Sequence, residues 1–356
     1  MNRKDNMIQP GTKIFNLCFI VLCVLCITTS ISGMCVNSII TLYTTGTFGV
    51  SLSIAGTVVG ISTIASIVIR PVLGPATNHV DKRKLVLISC LCSCVANLGL
   101  AFSPNVTVLK IFRFISGVGG GMCNAATLAM VAECLPRDKV TQGIGYYSLA
   151  GVVISAIGPS MVLSLSAHLG YRTMFLIVAA SCLLSFAIAL LLPHSISVPG
   201  GFHASDIKLK EIIAPESVIP AFVMLLFAIV NGVQASYIVS YADYRGFASV
   251  GLYFTIQSVV MFVARLLTGP ITNRHTYPFT TLTAGGLMIL FCLILGFGNN
   301  LFCMYLSGAI FGLAYGTLVP VSQTICLNRP PEERRGSGSN TYGLFIDIAV
   351  GIGGTL

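Results

Sequence analysis

Two charged side chains stand deep in long apolar runs. Asp347 lies in the stretch Tyr342 to Gly351, and Arg113 in Arg113-Phe-Ile-Ser-Gly117. At about 1.5 Å of helical rise per residue, Asp347 sits roughly 14 Å inside a run beginning near Gly338, and Arg113 roughly 11 Å inside its own. A carboxylic acid at that depth favours its neutral form unless a cation is near, which suits a proton carrier. The competing reading is an acid hydrogen-bonded to the glycine-rich backbone around it. An arginine so placed costs at least about 2.5–3.5 kcal/mol, so it should face a cavity or an acidic partner. It would then serve proton coupling or anion binding, or act as a structural tie. Neutral polar residues mark a cavity lining: Asn37, Asn124, Asn231, Gln234, Gln257 and Gln323. Asn231, Gln234 and Tyr241 recur at helical intervals, although any one of them serves equally well as an interhelical tie.

The elements that must position these groups follow from composition. Of 356 residues, 55% are hydrophobic and 9% charged, against about 25% charged in a soluble domain. Such a chain faces lipid. Apolar runs of about 20 residues or more, the length of a membrane helix, occur near 14–42, 50–73, 84–103, 106–134, 143–167, 171–192, 218–242, 247–270, 279–298, 301–327 and 338–356. The net charge of +9 is not a nucleic-acid footprint, because the basic residues sit in short clusters between runs. The N-terminus and the loops after spans 2, 4, 6, 8 and 10 hold nearly all of them, which places the N-terminus in the cytoplasm. Thirteen cysteines fall in or at the ends of apolar runs without ligand spacing, so they read as small packing residues and no metal or cofactor is expected. The five histidines (His79, His168, His194, His203, His275) lie in loops or at span ends, which argues against a membrane-embedded enzyme.

The polar stretch 193–217 reads as a cytoplasmic linker with a short surface helix, between an N-terminal six-span half (1–192) and a C-terminal half (218–356). His194 and His203 are expected there as solvated residues. A shift of 195 residues superimposes Arg70, Gly74, Pro75, Thr77 and Asn78 on Arg265, Gly269, Pro270, Thr272 and Asn273. The same shift pairs Gly117 with Gly312, Gly121 with Gly316, Pro136 with Pro331 and Gly143 with Gly338. One constant shift throughout is the signature of an internal repeat. Two parallel halves related by an axis along the membrane normal are a plan of secondary transporters, with substrate held between them near mid-membrane. Arg113 and Asp347 break the repeat, since their mates are Gly308 and Val152. The repeat also calls for a twelfth span beyond residue 356, so a fragment is expected.

On these residues the chain resembles the major facilitator superfamily over essentially its whole length, in a twelve-span drug or metabolite efflux-like branch. Gly74 to Arg83 is similar to that family's motif A, with Asn78 at the acid position, His79 at a basic one and Asp81 at a glycine. The resemblance implies a gating loop built from Arg70, Gly74, Pro75, Asn78, Asp81, Lys82 and Arg83, with Arg265, Gly269 and Asn273 as repeat mates. Without the usual acid, its latch must be hydrogen-bonded or use Asp81. Arg113 to Gly117 is similar to motif B. Gly151, Gly158 and Pro159 resemble motif C, which the family associates with antiporters, though close helix packing explains the small residues nearly as well. Glu133 is expected to pair with the basic loop around Lys82 and Arg83.

The fold expected is an all-α membrane protein of two six-helix bundles. The function expected is transport of a small solute by alternating access, as proton-coupled efflux, in a monomer held in a bacterial cytoplasmic membrane. The partners are then the lipid bilayer, the solute and protons, with no nucleic acid. Uptake by proton symport or facilitated diffusion is the alternative.

Overall fold

The computed structural model describes residues 14–136, 139–194, 212–247, 250–272 and 277–355. Eleven long helices follow the eleven apolar runs: α1 (Leu17–Phe48), α2 (Leu52–His79), α3 (Lys82–Ala101), α4 (Val106–Cys134), α5 (Val140–Leu169), α6 (Tyr171–Ala189), α7 (Pro215–Tyr244), α8 (Val250–Thr272), α9 (Tyr277–Phe297), α10 (Leu301–Asn328) and α11 (Arg335–Thr355). Most of the linker, including His203 and the expected surface helix, lies outside the described residues, as do Asn273 and His275.

Local chemistry sets the helix ends. Asn105 and Asn300, which are repeat mates, each cap a helix by accepting a backbone N–H three residues on, from Val108 at 2.9 Å and Cys303 at 2.8 Å. Asp81 caps α3 through the Arg83 amide. Gly49, at φ 64°, ends α1 in the left-handed region. The α2 helix runs six residues past its apolar run, so Gly74, Pro75 and Asn78 lie in helix rather than loop. The earlier start of α11, at Arg335, likewise puts Asp347 about 18 Å along it.

Among the described residues, eight helical segments are long and apolar enough to cross a membrane by length and composition. Large apolar side chains such as Leu282 (75% exposed) and Ile289 (64%) point outward, as they must where the surrounding solvent is hydrocarbon. Packing within each half repeats in register. Gly117 of α4 lies against the backbone of Ser62 on α2, and Gly312 of α10 against that of Gln257 on α8. One turn further on, Gly121 meets Ser66 and Gly316 meets Met261. All four contacts map onto one another by the 195-residue shift. A Cβ at Gly312 would stand 2.5 Å from the Gln257 carbonyl oxygen, so these helices touch only because glycine is there. The two halves meet along two seams, α2 against α11 and α5 against α8.

Candidate functional site

Between the halves lies a cavity of about 900 Å3. At its floor Asp347 of α11 pairs with Arg70 of α2, across the first seam. Arg70 donates to Oδ2 from Nη2 at 2.8 Å and from Nε at 3.1 Å, and Ser66 donates to the same oxygen at 2.5 Å. Arg70 is 2% exposed, whereas Asp347 keeps access to the cavity. The fit depends on Gly343, one turn before Asp347, because a Cβ there would occupy the space of the Arg70 guanidinium. A smaller cavity of about 340 Å3 adjoins this floor, bounded by Arg70, Tyr315, Gln323, Tyr342 and Asp347.

The second seam carries the symmetry mates. Arg265 of α8 donates from Nη1 to the Ser148 carbonyl of α5 at 2.6 Å, and Ser148 is the mate of Gly343. Asn340 donates to the Arg70 carbonyl at 2.9 Å, while its mate Gly145 brings α5 against the Arg265 carbonyl in simple contact.

Arg113, 3% exposed, faces the cavity without an acidic partner among the described residues. It donates to Asn37 Oδ1 at 3.0 Å, Ser62 Oγ at 2.9 Å and the Val58 carbonyl at 3.4 Å. Asn37, Asn124, Asn231, Gln257, Gln323 and Gly151 line the same cavity. Gln234 stands one layer behind, buried, its amide donating to Gln257 Oε1 at 3.1 Å.

At the end bearing the basic loops the halves are shut. Asn78 donates to Ser337 Oγ at 2.7 Å and accepts from the Ser337 amide at 3.3 Å, and Ser339 reaches the Ala125 carbonyl at 3.1 Å. Towards the opposite end a Cβ added at Gly33 or Gly46 of α1, or at Gly56 or Gly60 of α2, would meet nothing within 4 Å. The contacts described between the halves at the shut end are hydrogen bonds. Asp81 accepts from His194 Nδ1 at 2.5 Å within its own half, so His194 is not a merely solvated linker residue. Lys82 and Glu133 form a buried pair at 2.8 Å, and Arg83 donates to the Leu190 carbonyl at 2.6 Å. Gly74 and Pro75 lie within α2, Gly269 within α8, and Gly158 and Pro159 within α5.

Sequence reasoning named Arg70 and Arg265 as gating-motif residues and missed them as cavity groups, and it missed Ser62, Ser66 and Ser148. Arg70 stands nine residues inside α2, about 13 Å from its end, but only three residues inside the apolar run that ends near 73, so depth in the sequence did not single it out.

Two helical bundles around a polar cavity that is shut at one end form the architecture of an alternating-access membrane transporter. The chain belongs to the Major Facilitator Superfamily, whose family model matches residues 20–354. Over 305 residues it is 23% identical to the multidrug resistance protein MdtG of Salmonella dublin, covering 83% of this chain and 75% of that protein. It is 31% identical over 143 residues to a D-xylose transporter of Levilactobacillus brevis, covering 39% of this chain and 31% of that one. In fold it is similar to the human organic anion transporter MFSD10 (TETRAN), with a TM-score of 0.75 at 15% identity over 95% of this chain and 91% of that one.

Proposed function

We propose that this chain is a proton-coupled exporter of a small solute, with Asp347 as the proton carrier. The observation that carries the reading is the Arg70–Asp347 pair, which spans the halves and stays open to the cavity. Moving the cavity's opening to the other side requires α2 and α11 to part at the basic end. A charged Asp347 opposes that parting through its bond to Arg70. Protonation from the cavity removes the charge and loosens the seam, and proton release after the switch restores the bridge and shuts it again. The basic loops support the sidedness in which the shut end and the N-terminus face the cytoplasm and the cavity opens outward. A proton taken up from outside thus returns the protein to its inward-open state, which is the empty-handed step of an antiporter. Residues 1–192 and 218–356 act as the two rocking bodies, joined through 193–217, within a monomer in a bacterial cytoplasmic membrane. The likeness to MdtG supports export, and the likeness to a D-xylose transporter keeps uptake by symport as the second reading.

The test is transport in inverted vesicles carrying the full-length protein, over a panel of solutes, with and without an imposed pH gradient. Accumulation that needs the gradient and is lost in Asp347→Asn supports the proposal. Movement indifferent to both would leave a facilitator.

A further inference from the structure

The two cavities contain an imbalance of charge that the proton reading does not use. Three arginines and one aspartate line them, namely Arg70, Arg113, Arg265 and Asp347, for a net charge of +2. Only Arg70 has an acid beside it among the described residues. Arg113 is satisfied by neutral oxygens alone. Arg265 is 7% exposed, gives Nη1 to the Ser148 carbonyl, and leaves a buried Nε with no bond. The groups near Arg265 are the phenols of Tyr315 and Tyr342 and the thiol of Cys26, which are neutral at physiological pH rather than carboxylates. Buried guanidinium groups are costly unless an anion or a full set of acceptors compensates them.

The internal repeat shows what is missing. Arg70 and Arg265 are mates, as are Gly343 and Ser148, and each guanidinium lies against the mate of the other's neighbour. One turn beyond Gly343 stands Asp347, which completes the first seam. The equivalent position beyond Ser148 is Val152, so the second seam has the arginine and lacks the carboxylate. We infer that the transported solute is an organic anion whose acid group seats on Arg265, supplying to the α5–α8 seam what Asp347 supplies to the α2–α11 seam. Arg113, about 12 Å nearer the open end by the rise from Ser62 to Arg70 along α2, meets the anion on its way in or out. Guanidinium–carboxylate bonding is charge-assisted and can be bidentate, which selects acids over neutral or cationic molecules of the same shape.

The inference names the substrate class of the exporter proposed above, and its test is independent of proton coupling. Binding is measured at equilibrium, at one pH and with no gradient, on the purified full-length chain. The probes are fluorescein, an anion, and rhodamine 123, a cation on the same three-ring skeleton, each followed by fluorescence anisotropy. Fluorescein is expected to bind about tenfold or more tightly than rhodamine 123. Arg265→Gln should weaken fluorescein by about tenfold, Arg265→Lys by less, and Val152→Asp, which puts an acid at the repeat position equivalent to Asp347, should expel it. The comparison of dyes needs only the native chain, and Val152→Asp reports on the seat without removing the arginine. Rhodamine binding as tight as fluorescein, no fluorescein binding, or fluorescein binding unmoved by both Arg265→Gln and Val152→Asp would overturn the inference. Transport that proves independent of the pH gradient would leave it standing and remove only the proton reading.

Discussion

The α2–α11 seam and the α5–α8 seam are built from equivalent positions and differ in chemistry. The first is closed by an ion pair, the Ser66 bond to Asp347 and the Asn340 bond to the Arg70 carbonyl. The second keeps the arginine and its carbonyl partner, with Gly145 where the first has Asn340. The scaffold is thus symmetric while the charges are not. Close glycine contacts were kept in both halves because helix spacing depends on them, whereas an acid could be present in one seam and absent from the other without altering the backbone.

The same contrast runs through the rest of the halves. Lys82 and Glu133 tie α3 to α4 by a buried ion pair, and their mates are the uncharged Tyr277 and Asn328. Lys82→Met should therefore destabilise the protein by about 3–5 kcal/mol, because it takes the ammonium partner away from the buried Glu133 carboxylate. Tyr277→Phe at the mate should be close to neutral, because the buried phenol oxygen it removes makes no hydrogen bond among the described residues. Thermal unfolding of both variants in detergent measures the difference, and equal losses would break the comparison.

Next in size is the coupling across the first seam. A double-mutant cycle of Arg70→Gln and Asp347→Asn should give an interaction of about 1.5–3 kcal/mol, the range for a charge-assisted bond. The corresponding cycle of Arg265→Gln with Val152→Ala should give close to zero. A large value there would show that the second seam is already complete.

The scaffold contacts come third. Gly117→Ala and Gly312→Ala should each cost about 1–3 kcal/mol, since each methyl meets backbone of the facing helix. Their Tm losses should match, and a strong inequality would mean that the halves do not share one packing plan. The smallest effect belongs to Gly60→Ala, where a methyl meets nothing within 4 Å. It should change stability by about 0.5–1 kcal/mol or less, in the stabilising direction if at all.

The spans were legible because a helix in lipid must carry its own backbone hydrogen bonds and an apolar surface, so apolar runs become helices almost residue for residue. The repeat was legible because glycine contacts at constant spacing leave identities behind. Arg113 and Asp347 stood out for the cost of burying them. Their pairing with Asn37 and Arg70 did not. Asp347 and Arg70 lie 277 positions apart and in different halves, and the 195-residue shift relates positions of equal role rather than positions in contact. Ser66 and Ser148 were hidden for a different reason: serine is unremarkable in a membrane helix, and in Ser148 the backbone carbonyl does the bonding.

The latch between Asn78 and Ser337 has a consequence in solution conditions. Where this position is acidic, the closed state is held in part by attraction between charges near the membrane surface, which dissolved ions weaken over distances of about 8–10 Å at physiological ionic strength. An amide bonded to a hydroxyl carries no net charge for those ions to screen. The shut end of this transporter should therefore stay shut to the same degree in dilute and concentrated salt, leaving its opening to be governed by what enters the cavity rather than by the bath around it.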